Sequence, residues 1–576
     1  MPFRQCPTAM TTPIRILAAA FAAALAATAP AQSSGVVPPL PQAGPYPVGC
    51  SNLEQDFTRI PAGQSAETWW VGLPNGSTPR FITDLLVDPA HSFVYQVTFP
   101  SDSSVFGSFA GTTYPYVLVV CYPTDPGNTR ADYPLAGGGV IPHMQRGAEP
   151  PVFPAGDKHW PVVLYSHGLS GSPISGDYLN SLVQTASYGY VTVGVFHGDL
   201  RFADLDLGSF ADAVYALIHF RDFVALQAVR PLSLSPALDA VLNHPDYRDH
   251  VDAGNIGGFG VSLGGQSLLL LAGAQLTTTL GLSSQQITKD ARLKAVAGYV
   301  PYFGNPLYPG FGRNSQGLDG ITLPYLAISG TADSTAPIVT VAQGMNRLGG
   351  TRQLVALTGL HHGYDVAYAG EITTWTFMFL AGQLTNDPLA RVASARMTSV
   401  AGGMEDIERI DYMAPTPPRD ANEAAVVEYF NTSLGHYFIT ADPAEAAMLD
   451  AGVIVPGWQS TGFAFKLRPA GSPLGLAACR FFGTPPLGPN SHFFTIDAAE
   501  CAQVKANPLW TYEGIAFNAD APQAGDCAAD RIPVIRDYNN GMGGQANHRY
   551  TTSRSETANM QSAGWIVEGT VFCSLP

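Results

Sequence analysis

At 576 residues the chain is too long for one ordinary core, and 46% hydrophobic against 13% charged residues excludes a largely disordered polypeptide. Its formal net charge of −16 repels phosphate backbones, so nucleic-acid binding is not expected. Frequent Gly (60) and Pro (47) point to many turns and long loops.

Near the N-terminus, Arg15 precedes an apolar run, Ile16 to Ala27, which is followed by Ala29-Pro30-Ala31. A positive flank, a short apolar core and an A-x-A step mark 1–31 as an expected secretory signal peptide, with Met10 a second candidate start. The run is shorter than the about 20 residues that cross a bilayer, and no other stretch is long and apolar enough, so no transmembrane anchor is expected. Six cysteines lie beyond the signal, an even number that suits an oxidising compartment. Cys50 and Cys121 form the natural pair before residue 150. Among Cys479, Cys501, Cys527 and Cys573, the set Cys479–Cys501 with Cys527–Cys573 is one of three pairings. No C-x-x-C pair exists, and no metal site is expected.

Residues 32–45, rich in Pro, Gly and Ser, read as a lead-in. Short β-like runs at Phe93–Phe99 and Tyr114–Cys121 read 32–149 as a β-rich extension that begins the sheet of the domain that follows it. From 160 the pattern changes. Pro161–Ser166, Tyr190–Phe196, Asn255–Gly260, Leu293–Val300, Tyr325–Ser329 and Arg352–Leu357 read as strands. Tyr178–Ser187, Phe210–Val229, Pro236–Leu242, Leu263–Ala274 and Glu371–Leu384 read as helices. This alternation predicts βαβ units, a parallel sheet and an α/β class for a catalytic domain over 150–401. Gly402-Gly403 and Pro415-Thr416-Pro417-Pro418 mark a linker over 402–424.

The remainder, 425–576, repeats itself. His436-Tyr437-Phe438, His492-Phe493-Phe494 and His548-Arg549-Tyr550 recur with a period of about 56 residues, each copy closing on a Trp (458, 510, 565) and an aromatic strand. Three copies of strand, strand, short helix and strand predict one β-rich pseudo-threefold module, because a single copy is too small to bury a core.

Chemistry concentrates at Gly260-Val261-Ser262-Leu263-Gly264, a G-x-S-x-G between an apolar strand and an apolar helix. The sharp turn exposes a serine Oγ, small neighbours let strand and helix approach, and the helix N-terminus favours developing negative charge. Ser262 is therefore the expected nucleophile. Leu263 N–H, directly after it, and Leu169 N–H, in His167-Gly168-Leu169-Ser170-Gly171, are the expected oxyanion donors. Asp333, after the strand Pro324–Gly330, is the expected acid. The base follows the next strand at His361-His362, where spacing after Gly359 favours His362 and leaves His361 a wall or surface residue. Tyr299, Tyr302 and Phe303 either line a substrate pocket or pack as loop aromatics.

The order Ser262, Asp333, His362 and the segments Pro161–Leu169, Arg230-Pro231 with Asp239, and Gly260–Gly265 resemble secreted α/β-hydrolases of the dienelactone hydrolase and platelet-activating-factor acetylhydrolase kind. The sequence departs from that pattern at Val261, where many relatives carry His, and at Ser233, where Asp often follows Arg-Pro. The resemblance implies an α/β-hydrolase fold and a serine esterase that works through an acyl-enzyme without a cofactor on lipid, small or polymeric esters. The same groups serve amide hydrolysis, and a non-catalytic surface-binding protein is the alternative of another class. The tail resembles a bacterial domain of uncharacterised function appended to secreted proteins. Trp458, Trp510 and Trp565 there either stack on a sugar or polymer surface or fill the threefold core.

Overall fold

A computed structural model describes residues 35–576 apart from 73, 76–77, 200–204, 206–208, 210–211, 306–307, 405–409 and 453–455. The expected signal peptide, 1–31, lies outside the described residues.

Ten strands form the largest sheet: β1 (Val48–Cys50), β2 (Val94–Thr98), β3 (Thr113–Pro123), β4 (Trp160–Ser166), β5 (Val191–Val195), β6 (Val251–Val261), β7 (Leu293–Tyr299), β8 (Tyr325–Gly330), β9 (Arg352–Leu357) and β10 (Ile410–Tyr412). Their order is β10-β9-β8-β7-β6-β4-β5-β3-β1, with β2 also on β3. Parallel pairing joins β4 to β9 in the middle; β1, β2, β3 and β10 pair antiparallel at the edges. Alternate residues of each strand face opposite sides. Val162 and Leu164 enter one core layer with α2 (Ala213–Leu242), α3 (Leu263–Leu271) and α4 (Ile338–Met345). Val163 and Tyr165 enter the other with α1 (Gly176–Ser187) and α5 (Ala369–Leu384).

This corrects the fold class. Seven separate sheets are described, and strand (30%) exceeds helix (28%), so the chain is β-rich with mostly antiparallel or mixed sheets rather than the α/β-hydrolase class expected. The βαβ alternation is a local signal and speaks only for 160–357. Antiparallel partners come from residues 48–123 and from the far side of the chain, distances at which periodicity carries no information. The two helices expected over 210–242 are one, because α2 runs through Pro231 and Pro236.

Within the segment expected as a linker, Ile410–Tyr412 forms β10 on the start of β9. Asp411 also caps a tail helix, α9 (Arg554–Ser562). It accepts from Ser555 N at 2.7 Å, Arg554 N at 2.8 Å and Ser553 Oγ at 2.8 Å. Arg554 in turn donates to Ala395 O and Met397 O, and Arg396, at the end of α6 (Pro388–Arg396), donates to Cys527 O, Arg531 O and Asp526. The tail is thus bolted to the large sheet through polar contacts from both sides.

The tail contains β11 (Ala424–Asn431), β12 (His436–Thr440), α7 (Pro443–Asp450) and β13 (Trp458–Pro469) in its first copy. β14 (Leu476–Phe482), β15 (His492–Thr495), α8 (Ala498–Lys505) and β16 (Thr511–Ala519) form the second. β17 (Ile532–Tyr538), β18 (His548–Thr551), α9 and β19 (Ile566–Ser574) form the third. Each copy is an antiparallel strand triplet. Phe438, Phe494 and Tyr550, one per copy at the same repeat position, meet in a common core.

Ion pairs join the copies. Arg480 on β14 bonds Glu445 of the preceding helix α7 and Glu513 of its own β16; Arg536 on β17 repeats this with Glu500 of α8 and Glu568 of β19. The equivalent position on β11 is Glu428, so the third joint swaps charges. Arg549 bonds Glu428 twice at 3.0 Å and Glu556 of α9 at 2.6 Å, and Thr461 replaces the strand carboxylate. Disulfides Cys479–Cys501 and Cys527–Cys573 close the second and third copies, and Cys50–Cys121 joins β1 to β3. Trp458, Trp510 and Trp565 are half-buried against Phe438, Phe493 and Tyr437.

Two predictions follow from the tail. Arg549 and Glu428 are both buried, so Arg549→Met leaves a lone buried carboxylate and should lower tail stability by about 3–5 kcal/mol, read from the urea midpoint; adding Glu428→Gln should restore much of it. Asp537, fully buried beside Thr557, has its pKa raised by burial to about 6. A raised folded-state pKa contributes stability below pH about 4 that is lost as pH rises through about 6. Asp537→Asn should therefore stabilise the tail near pH 7.5, by about 3 kcal/mol, and flatten its melting temperature between pH 5 and 7.5.

Candidate active site

The sequence builds the Ser262 turn by removing side chains. A Cβ on Gly260 would lie 2.5 Å from Gly264 C and Gly265 N, and one on Gly264 would lie 1.8 Å from Ser166 O. With only hydrogen at these positions, α3 packs directly on β6 and β4. Ser262, between strand and helix, is forced to φ 53° and ψ −119°, a conformation that a non-glycine residue holds only under strain. Its backbone is pinned by Ser262 N donating to Tyr299 O and by Gly265 N and Tyr302 N donating to Ser262 O, each at 3.0 Å.

Ser262 Oγ lies 2.9 Å from His362 Nε2, and His362 Nδ1 lies 2.7 Å from Asp333 Oδ2. A carboxylate accepts only, so Nδ1 carries the proton and Nε2 is the acceptor facing the hydroxyl. The other oxygen, Asp333 Oδ1, accepts from Thr335 N at 2.9 Å and Ala336 N at 2.8 Å. The Asp333 side chain is fully buried and His362 is 22% exposed, so the relay opens toward solvent only at its histidine and serine end. Of the two adjacent histidines, His362 makes this relay; His361 is exposed.

Ser262, Asp333 and His362 follow β6, β8 and β9, and His167–Ser170 follows β4. These strands are parallel, so all four loops emerge at one edge of the sheet. Leu263 begins α3, and first-turn N–H groups have no intrahelical acceptor. Gly168 stands against Ser262, since its Cβ would come within 3.4 Å of Ser262 Cβ, and the half-buried Leu169 follows it in the chain.

Of the two readings open for the loop aromatics, Tyr302 and Phe303 follow the packing one. Tyr302 (1% exposed) packs edge-on against Phe223, and Phe303 (0%) against Phe311 and Tyr325, so both turn into the core. Tyr299 is buried too. Its hydroxyl, with a pKa pushed well up by burial, donates to Gly363 O at 2.6 Å and tethers the loop that carries His362.

Behind the His167 loop lies a buried polar cluster that sequence reading missed. Asp199 pairs with Arg230 at 3.5 Å and accepts from Ser170 N at 3.1 Å. His197 meets Ser166 Oγ at 2.9 Å and Ser233 Oγ at 3.2 Å. A signal existed: His197-Gly198-Asp199 follows β5 as His167-Gly168 follows β4. Among the described residues no group of three metal-ligating side chains stands together, and no helix is long and apolar enough to cross a membrane.

The chain matches no curated protein. Its C-terminal part matches the family described as Domain of unknown function (DUF5648) twice, over residues 395–519 and 425–575, two matches that end one repeat apart.

Proposed function

We propose that this chain is an exported serine hydrolase that cleaves carboxylic esters through an acyl-enzyme. The observation that carries the reading is the continuous relay Ser262–His362–Asp333, with the serine held in a left-handed turn at a helix N-terminus. Ser262 Oγ attacks the ester carbonyl carbon while its proton passes to His362 Nε2. The carbonyl oxygen becomes an oxyanion facing Leu263 N–H and Leu169 N–H, and the imidazolium is stabilised by Asp333. The C–O bond breaks, the alcohol leaves with the proton from Nε2, and Ser262 is acylated. Water then attacks the acyl carbon and gives a proton to Nε2; the bond between that carbon and Ser262 Oγ breaks, Oγ takes the proton back from Nε2, and the acid is released. Three disulfides suit export, since such bonds persist in oxidising compartments.

A fluorophosphonate probe should label the wild-type chain at one site and leave Ser262→Ala unlabelled; a wild type that stays unlabelled, or equal labelling of Ser262→Ala, overturns the reading. On a p-nitrophenyl ester, Asp333→Asn should lower kcat by about 10⁴-fold, because the imidazole loses its fixed tautomer. His361→Ala should stay within a few-fold of wild type.

A further inference from the structure

We propose that His167 is a positioning residue that aims the second oxyanion donor, Leu169 N–H, with Arg230 and Asp199 clamping the peptide units on either side. The inference rests on the hydrolase reading and adds to it a group that touches no substrate.

Gly168 C=O and Leu169 N–H belong to the same trans peptide unit and so point in opposite directions. His167 Nδ1 lies 2.7 Å from Gly168 O. A carbonyl only accepts, so Nδ1 carries the proton and draws this oxygen to the imidazole; Arg230 Nη2 also lies 3.4 Å from Nδ1, but it donates to the closer His167 O. Leu169 N–H must then face away from the ring. The tautomer is determined from the ring's other side, where His197 N donates to His167 Nε2 at 3.3 Å, which requires Nε2 to be unprotonated. Burial, and then the nearby Arg230 cation, push the imidazole well below its ordinary pKa, so the ring stays neutral with one proton, on Nδ1.

The flanks are held as well. Arg230 Nη2 donates to His167 O, one unit before this plane, and Asp199 Oδ2 accepts from Ser170 N, one unit after it. Arg230 and Asp199 are themselves buried and paired. Ser170 sits at φ 59°, in a turn where Gly171 N also donates to Gly168 O at 3.3 Å, so the imidazole shares that carbonyl with one longer backbone contact while Arg230 and Asp199 hold the flanking units.

Two polar substitutions separate aiming from bulk stability. The Asn amide nitrogen overlies imidazole Nδ1, so His167→Asn keeps the donor to Gly168 O and gives up the His197 contact. The Gln amide reaches the Nε2 position, so His167→Gln does the reverse. The readouts are kcat and KM on p-nitrophenyl butyrate, the inhibition constant of a trifluoromethyl ketone, whose tetrahedral adduct carries the oxyanion, and the melting temperature. His167→Gln should lose about 10²-fold in kcat and the same factor in ketone affinity, with KM within about threefold and melting close to that of His167→Asn. His167→Asn should stay within about tenfold of wild type in both.

Equal kinetics for the two variants, or a greater loss in His167→Asn, overturns the inference while fluorophosphonate labelling of the wild type leaves the hydrolase reading standing. An unlabelled wild type overturns both. Should His167→Gln fail to fold, Asp199→Ala, which leaves Ser170 N without its side-chain acceptor, takes its place. There a fall in kcat and ketone affinity by a common factor is expected, and unchanged ketone affinity overturns the proposal.

Discussion

The candidate site depends on how closely α3 approaches β6 and β4. Gly260 and Gly264 lie where a single methyl group would collide with backbone, and that contact drives Ser262 into a left-handed turn. Strain of this kind amounts to about 1–3 kcal/mol and persists only where surrounding structure outweighs it. Here α3 does so, since all nine of its residues are buried. Widening the strand–helix gap would relax Ser262, displace Leu263 at the helix start and lengthen the 2.9 Å contact to His362 together. The three are one geometric unit.

Parallel pairing of β4 through β9 supplies the other half of the geometry. It brings loops distant in sequence to one edge: the His167 loop, Asp199, Ser262, Asp333 and His362. Tyr299 ties two of these loops together by accepting Ser262 N at its carbonyl and donating its hydroxyl to Gly363 O. The tail attaches elsewhere. β10 pairs with Arg352–Leu354, the start of β9 and not its His362 end, and Asp411, Arg396 and Arg554 lock the two parts. Within the tail, the three ion-pair joints show how a repeated sequence diverges without opening its core. A carboxylate at 428 is matched by an arginine at 549 and a neutral Thr461, so each joint keeps opposite charges in contact.

The elements most legible beforehand were those set by local rules. G-x-S-x-G between an apolar strand and helix, and Asp333 and His362 after successive apolar runs, are short-range patterns, and the relay joins these same residues. The tail's period was legible because repetition is visible without knowledge of contacts. Less was legible where partners lie far apart. The overall class was misjudged, since the balance of strand over helix, and of antiparallel or mixed over parallel pairing, is summed over the whole chain and is not a property of the alternating segment from 160 to 357. Pocket lining and core packing stayed open for Tyr302 and Phe303 because a loop aromatic carries no mark of the direction it faces.

By itself, the sequence determined the glycines that permit the turn, the chain order of serine, acid and histidine, the even set of cysteines and the threefold repeat, because steric permission, order and periodicity are properties of neighbouring residues. Only the tertiary structure decided between His361 and His362, paired the tail cysteines, turned Tyr299 into a tether and placed Asp199, Arg230 and His167 around one peptide. Those outcomes depend on directions and distances across 30 or more residues of chain, which are fixed when the sheet closes its core and the buried polar groups find partners.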